Sequence, residues 1–114
     1  MRTCWQRCIA DLSGVRLDLV PDFVGEDPTY WLANTGQWLS GHGWNMVCMV
    51  SVETGGPAIE LAKLATAHHN RIEVGTTASG AYHAVVRQAD GTVWDPQPSC
   101  GQLVTIMGIY WLVR

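Results

Sequence analysis

Charged residues are scarce in this sequence, and acidic residues outnumber basic ones. Lys and Arg together number seven, Asp and Glu ten, and the formal net charge is -3. A protein that grips a nucleic-acid backbone carries a patch of clustered positive charge, and no such cluster occurs in this chain. We therefore expect no nucleic-acid partner.

Long hydrophobic runs are missing as well. No stretch approaches the ~18 consecutive apolar residues of a transmembrane helix, and the first residues do not form a basic region followed by an apolar one. We expect no membrane partner and a cytoplasmic location. The four cysteines are then expected to be free thiols, because the reducing cytoplasm does not preserve disulfides.

Apolar residues, in contrast, are plentiful. They make up 47% of the 114 residues, enough for a packed interior in a chain of single-domain size. We therefore treat residues 1–114 as one domain. Helical patterns precede strand patterns along the chain, and this order predicts an α+β fold with N-terminal helices packed on a small antiparallel sheet.

Three helices are predicted in the first two thirds of the chain. The first spans residues 4–13, with Thr3 as its cap and Gly14 as its left-handed stop. The second follows Asp27-Pro28 and continues to about residue 40, and the third covers residues 57–69 after a turn at residues 54–57. Cys4 and Cys8 share the inward face of the first helix, whereas Arg7 lies outside it.

The strands are predicted at residues 44–52, 71–74, 82–88, 92–95 and 103–113. Asp90-Gly91 is a tight-turn signal because both residues tolerate positive φ, and it joins the third and fourth strands as a hairpin. If the hairpin closes there, the start of one strand and the end of the other meet. His83 and Asp95 are then within cross-strand reach.

These residues suit nucleophilic catalysis by a thiol. A cysteine attacks as the thiolate, which the free backbone donors and the dipole at a helix start favour, and Cys4 meets that requirement. A histidine must then act as base and acid while a third group orients its ring. His83 and Asp95 fit those roles, and Asp95-Pro96 places the carboxylate at a strand exit.

Three sequence blocks carry a family resemblance. They read CWQRCIA from Cys4, HAVV from His83 and WDP around Asp95. In this order they resemble the Cys, His and Asp blocks of the papain-like cysteine peptidases that trim double-glycine leaders from bacteriocins, and small phage and bacterial proteins of that type. The resemblance spans nearly the whole chain and implies a peptidase whose substrate is a peptide or protein, with Cys4 as nucleophile and Cys8 as the alternative.

One position departs from the family pattern. The leader peptidases place an oxyanion-stabilising Gln several residues before the cysteine, where this chain has Met1, Arg2 and Thr3. Backbone donors at the helix start, a rotated Gln6 or another side chain are the substitutes. Losing one such donor typically costs ~10²-fold or more in rate.

Other interpretations stay open at this point. The bond cleaved could be a peptide, an isopeptide, a side-chain amide or a thioester. A catalytically inactive papain-like domain that binds a peptide or protein is the main alternative, and a structural or inhibitory protein is a third. A zinc site at Cys4 and Cys8 is a weak signal, since no second well-spaced pair accompanies them, so we expect no metal and no cofactor.

Overall fold

The computed structural model describes residues 1–51 and 56–114, and in them helices precede most of the strands. The helices are Arg2–Ser13 (α1), Phe23–Glu26 (α2), Trp31–Gly41 (α3) and Pro57–Ala65 (α4), with 3₁₀ turns at Leu17–Leu19 and Pro98–Cys100. The strands are Asn45–Val50 (β1), Arg71–Thr76 (β2), Tyr82–Arg87 (β3), Val93–Trp94 (β4) and Gly108–Val113 (β5). The predicted α+β class is confirmed, and the predicted turn at residues 54–57 falls partly outside the described residues.

The strands form one antiparallel sheet in the order β1-β5-β2-β3-β4. Strand β5 is last in the chain but lies in the interior of the sheet, between β1 and β2. The β3–β4 hairpin closes at one edge as predicted, with Val86 opposite Trp94 and Gly91 at φ 90° in its turn. Asp90 does not adopt positive φ, so Gly91 alone supplies the left-handed residue that the turn needs.

Helix α1 begins two residues earlier than the sequence predicts. Met1 is its N-cap, no side chain caps it, and Thr3 lies inside the first turn, so the predicted Thr3 cap is wrong. The stop is confirmed, because Gly14 adopts φ 73° and its amide donates to the Ala10 carbonyl at 3.0 Å. Cys4 therefore sits in the first turn rather than at the first helical position.

Helix α3 begins later than predicted, at Trp31. The carboxylate of Asp27 accepts hydrogen bonds from the amides of Thr29 and Tyr30, which form a turn before the helix. Asp and Asn side chains often stabilise such turns, and they compete with helix initiation by the same groups. A second short helix, α2, was not predicted, and the side chain of its N-cap Asp22 accepts from the Gly25 amide.

The sheet has a core on each face. On one face, α1 and α3 pack over Ile72, Val74, Ala84, Val86 and Tyr110, and Cys4, Trp5, Cys8 and Ile9 belong to this cluster. On the other face, α4 packs Ile59 and Ala62 against Ile109. Strand alternation explains the division, because successive side chains of β3 point to opposite faces.

The segment before β5 also covers part of this second face. Residues 103–107 were predicted as strand, but Leu103 makes only an isolated bridge, to Thr77. The Thr105 carbonyl comes so close to Gly75 that a Cβ built there would lie 1.8 Å from its oxygen. Gly75 is the partner of His83 in the β2–β3 ladder, so this segment lies beside the histidine.

A candidate active site at the β3–β4 hairpin

The hairpin brings His83 and Asp95 into direct contact. Nε2 of His83 lies 2.8 Å from Oδ1 of Asp95. Ala84 and Val86 pack on the α1 side, so alternation directs His83 to the side of β3 on which Val85, Arg87 and Asp95 line a cavity. The register that the Asp90-Gly91 turn imposes is therefore what joins the two residues.

The histidine ring is fully buried, and only one of its two nitrogens has a hydrogen-bond partner. An ionised carboxylate can only accept hydrogen bonds, so Nε2 carries a proton that it donates to Asp95. In the neutral ring Nδ1 is then an unprotonated acceptor. Nδ1 is buried without a hydrogen-bond partner, which is uncommon for a buried polar atom.

Asp95 sits at a corner of the chain rather than in the ladder. Strand β4 ends at Trp94, and Pro96 has no amide hydrogen to continue the pairing. The amide of Gln97 donates to the same Asp95 Oδ1 at 2.8 Å, so one carboxylate oxygen accepts from both the ring and the corner. The side chain of Asp95 is 21% exposed, which leaves it in contact with solvent.

Cys4 lies in the first turn of α1, with its sulfur against the backbone. Its thiol donates to the Met1 carbonyl at 3.0 Å, and the residue is 1% exposed. The first backbone hydrogen bond within the turn runs from the Trp5 amide to Met1, so the Cys4 amide comes before the point at which intrahelical bonding starts. The thiol therefore has unpaired backbone donors close by.

Cys8 lies one turn further along the same face and is fully buried. Burial raises the pKa of its thiol well above its usual range, and the nearby Cys4, Asp11 and Asp95 raise it further. A thiol held in its neutral form is a poor nucleophile. Of the two candidates, Cys4 is the one in the first turn of α1, where a thiolate is favoured.

The structure joins two of the three predicted catalytic residues by a hydrogen bond. His83 and Asp95 are bonded, whereas the thiol of Cys4 and Nδ1 of His83 are not, since Nδ1 has no partner. Helix α1 packs over Ala84 and Val86 of β3, so Cys4 lies on that side of the strand, whereas alternation directs His83 to the opposite side.

The contacts of Gln6 argue against it as the substitute for the missing oxyanion donor. Its side-chain amide donates to the Val20 carbonyl at 2.6 Å, which ties α1 to the segment before α2. Gln6 is thus occupied with a structural contact. The free backbone donors in the first turn of α1 are the better fit to the role of stabilising an oxyanion.

One residue near the site was not found from the sequence. Arg7, assigned to the outer face of α1, reaches across to the corner and donates from Nη1 to the Pro96 carbonyl at 3.0 Å. No local pattern signals this contact, because it joins residues 89 positions apart. The sequence pattern predicts only that a helix position facing away from the core is exposed to solvent.

Two further features are absent from the part of the chain that the structure describes. In residues 1–51 and 56–114, no group of three or more His, Cys, Asp or Glu side chains is placed to hold a metal ion. Over the same ranges, no helix is long and apolar enough to cross a membrane. All four cysteines are free.

Comparison with known proteins gives no relative for the chain: no family model matches it, and neither a curated protein nor a solved structure is significantly similar.

Proposed function

We propose that this protein is a papain-like cysteine hydrolase that cleaves a peptide or related amide bond. The Cys4 sulfur attacks the carbonyl carbon to form a carbon–sulfur bond, and His83 takes the thiol proton and delivers it to the leaving amine as the carbon–nitrogen bond breaks. Asp95 orients the ring and favours the imidazolium. Water then hydrolyses the thioester, which releases the acid and restores the thiol.

The observation that carries this proposal is the asymmetry of the His83 ring. Nε2 is held by Asp95, and Nδ1 is a buried base with no partner. A catalytic histidine needs this arrangement, because one nitrogen must be oriented by an acceptor while the other stays free for the nucleophile's proton. A purely structural buried histidine normally has both nitrogens satisfied.

The position of α1 gives further support. Its first turn carries Cys4, and the free backbone donors and the helix dipole favour a thiolate there. The helix packs over β3, the strand that carries His83. Both residues are almost fully buried, and alternation directs His83 to the side of β3 opposite α1, so attack on a substrate requires a rearrangement that brings the Cys4 thiol from the Met1 carbonyl to Nδ1.

Thiol labelling tests the proposal without knowledge of the substrate. We expect iodoacetamide at neutral pH to modify Cys4 faster than Cys8, Cys48 or Cys100. Mass spectrometry of the proteolytic peptides measures the extent of modification at each cysteine. The substitution His83→Ala should slow labelling of Cys4 by about tenfold or more, since the base is lost. His69→Ala, at an exposed histidine outside the candidate site, is the matched control and should leave the labelling rate of Cys4 unchanged. Labelling of Cys4 only after unfolding would exclude the catalytic role.

The second candidate is a catalytically inactive papain-like domain that binds a peptide or protein. The burial of Cys4 and His83 and the missing hydrogen bond between them favour it. In that case His83→Ala leaves the labelling rate of Cys4 unchanged and lowers only the stability of the fold. The same experiment therefore distinguishes the two functions.

A further inference from the structure

The corner that carries Asp95 has few contacts of its own. Strand β4 has two residues, Asp95 lies beyond them, and Pro96 removes one amide from the ladder. Within the corner, the Gln97 amide bonds Asp95, and the Cys100 amide bonds the Gln97 carbonyl at 3.0 Å. These are local bonds, and neither fixes the corner relative to α1.

Arg7 supplies a bond that does fix the corner relative to α1. Its Nη1 donates to the carbonyl of Pro96, the residue directly between Asp95 and Gln97. The other end of the side chain is anchored in α1, in the turn that follows Cys4. One side chain therefore connects the helix of the proposed nucleophile to the corner of the proposed orienting carboxylate.

Two other observations place the helix and the corner close together. The side chains of Arg7 and Asp11 line one surface groove with Trp94, which immediately precedes Asp95. The charge of Asp95 also contributes, after burial and the larger effects of Cys4 and Asp11, to the raised pKa of the Cys8 thiol on the inner face of α1. The carboxylate is thus near enough to act on a thiol of this helix.

A guanidinium suits this task better than an ammonium. Its donors are planar and fixed in direction, so a single bond to a carbonyl also restricts the angle between the two elements. Arg7 is on the outer face of α1 and makes its bond at the rim of the protein. Its loss should therefore loosen the corner without opening the core.

We propose that Arg7 is a positioning residue for the His83–Asp95 pair, resting on the proposed function above. It holds the Asp95-Pro96-Gln97 corner against α1, and so preserves the hydrogen bond from Nε2 to Asp95 and keeps Nδ1 unprotonated. It does not touch the substrate or the reacting atoms.

The test combines two readouts on the full chain with Arg7→Met, Arg7→Lys and Arg16→Met. Arg16 is the matched control, because it is an exposed arginine whose bonds go to Asp18, away from the site. The first readout is the ¹⁵N spectrum of the His83 ring, which reports which nitrogen carries the proton. The second is the pH profile of Cys4 alkylation, and thermal unfolding by circular dichroism checks that each variant is folded.

In Arg7→Met we expect the ring to change from one tautomer to a mixture and Cys4 alkylation near neutral pH to fall by about tenfold, since a misplaced catalytic group costs up to 10² in rate. Arg7→Lys should restore part of both, because an ammonium can still donate to the Pro96 carbonyl. Arg16→Met should leave both unchanged.

The outcomes separate this inference from the proposed function. If the unsubstituted protein shows fast, His83-dependent alkylation and Arg7→Met alters neither the ring spectrum nor the pH profile, the role of Arg7 is overturned and the enzyme stands. If Cys4 is inert in the unsubstituted protein, the hydrolase is overturned, whereas a tautomer change in Arg7→Met still supports the positioning role. A folded Arg7→Met with an unchanged ring overturns that role in either case.

Discussion

Oδ1 of Asp95 accepts two hydrogen bonds of 2.8 Å, one from Nε2 of His83 on the neighbouring strand and one from the amide of Gln97 in its own corner. The two donors approach one oxygen from different elements. The carboxylate is thereby fixed in orientation, and the histidine tautomer follows from it.

This relationship predicts the effect of Asp95→Asn. The amide keeps the size of the side chain but loses the charge that favours the imidazolium, and it can present its NH₂ group to the ring and reverse the tautomer. We expect Cys4 alkylation near neutral pH to fall by about tenfold or more. The pH profile of alkylation is the measurement.

Asp90→Asn is the control for that substitution. Asp90 lies in the turn of the same hairpin, is exposed and bonds Thr92 rather than the ring. Asn also accepts hydrogen bonds in such turns, so we expect the alkylation profile to be preserved. Equal profiles for Asp95→Asn and the unsubstituted protein would remove Asp95 from the mechanism.

A second carboxylate, Glu73, is held more tightly than Asp95. It is 1% exposed, and its two oxygens accept from Nε and Nη2 of Arg71 and of Arg87. Glu73→Ala leaves the largely buried Arg71 without its counter-ion, and removing one partner of a buried pair costs about 3–5 kcal/mol. We expect that loss in the free energy of unfolding, measured by urea titration.

The exposed pair between Glu60 and Lys63 is the matched control for Glu73. Its atoms lie 3.1 Å apart on the surface of α4, and the Lys63 and Glu60 side chains are 36% and 61% exposed. Exposed pairs contribute about 0–1 kcal/mol, so Glu60→Ala should change the stability little. Similar losses for both variants would contradict the assigned role of the buried network.

Gly75 should tolerate no side chain. A Cβ there would lie 1.8 Å from the Thr105 carbonyl oxygen, a backbone atom that cannot rotate away. Gly75→Ala must displace the segment beside His83, and we expect a cost of about 3 kcal/mol, in the upper range for overpacking. A Cβ at Gly36 in α3 would meet only the end of the Met46 side chain, at 3.7 Å. Because Ala favours the helix more than Gly does, Gly36→Ala should stabilise the protein by about 0.5–1 kcal/mol. Chemical denaturation of the two variants measures the contrast.

The local parts of the fold were predictable from the sequence because their causes are local. Gly14 stops α1 through its own φ, and the Asp90-Gly91 turn sets the hairpin register that joins His83 to Asp95. The boundaries of the helices depend on a choice that the sequence does not decide, since backbone groups at a helix end have more than one partner available. Thr3 was expected to cap α1 but lies within it, and Asp27 formed a turn where a helix start was expected.

The distant contacts were not predictable in the same way. Nothing in the sequence places β5 between β1 and β2, because strand order depends on which apolar faces pack best in three dimensions. The bond from Arg7 to Pro96 and the fit of Thr105 over Gly75 depend on that order. A contact between Cys4 and His83 would also join residues that are distant in the sequence, and it stays a prediction.

Cys8 makes stability depend on pH in the alkaline range. Its folded pKa is raised by burial first and then by its acidic neighbours, whereas in the unfolded chain the thiol ionises near its ordinary value of 9.0. Above that pH the unfolded chain loses a proton that the folded protein retains, so stability present below pH 9 decreases as the pH rises. One proton corresponds to about 1.4 kcal/mol per pH unit. Urea titrations between about pH 9 and pH 11 should therefore give a steeper decrease for the unsubstituted protein than for Cys8→Ala. Cys48→Ala, at an exposed cysteine, should keep the steep decrease, and equal slopes for all three proteins would mean that Cys8 ionises freely in the fold.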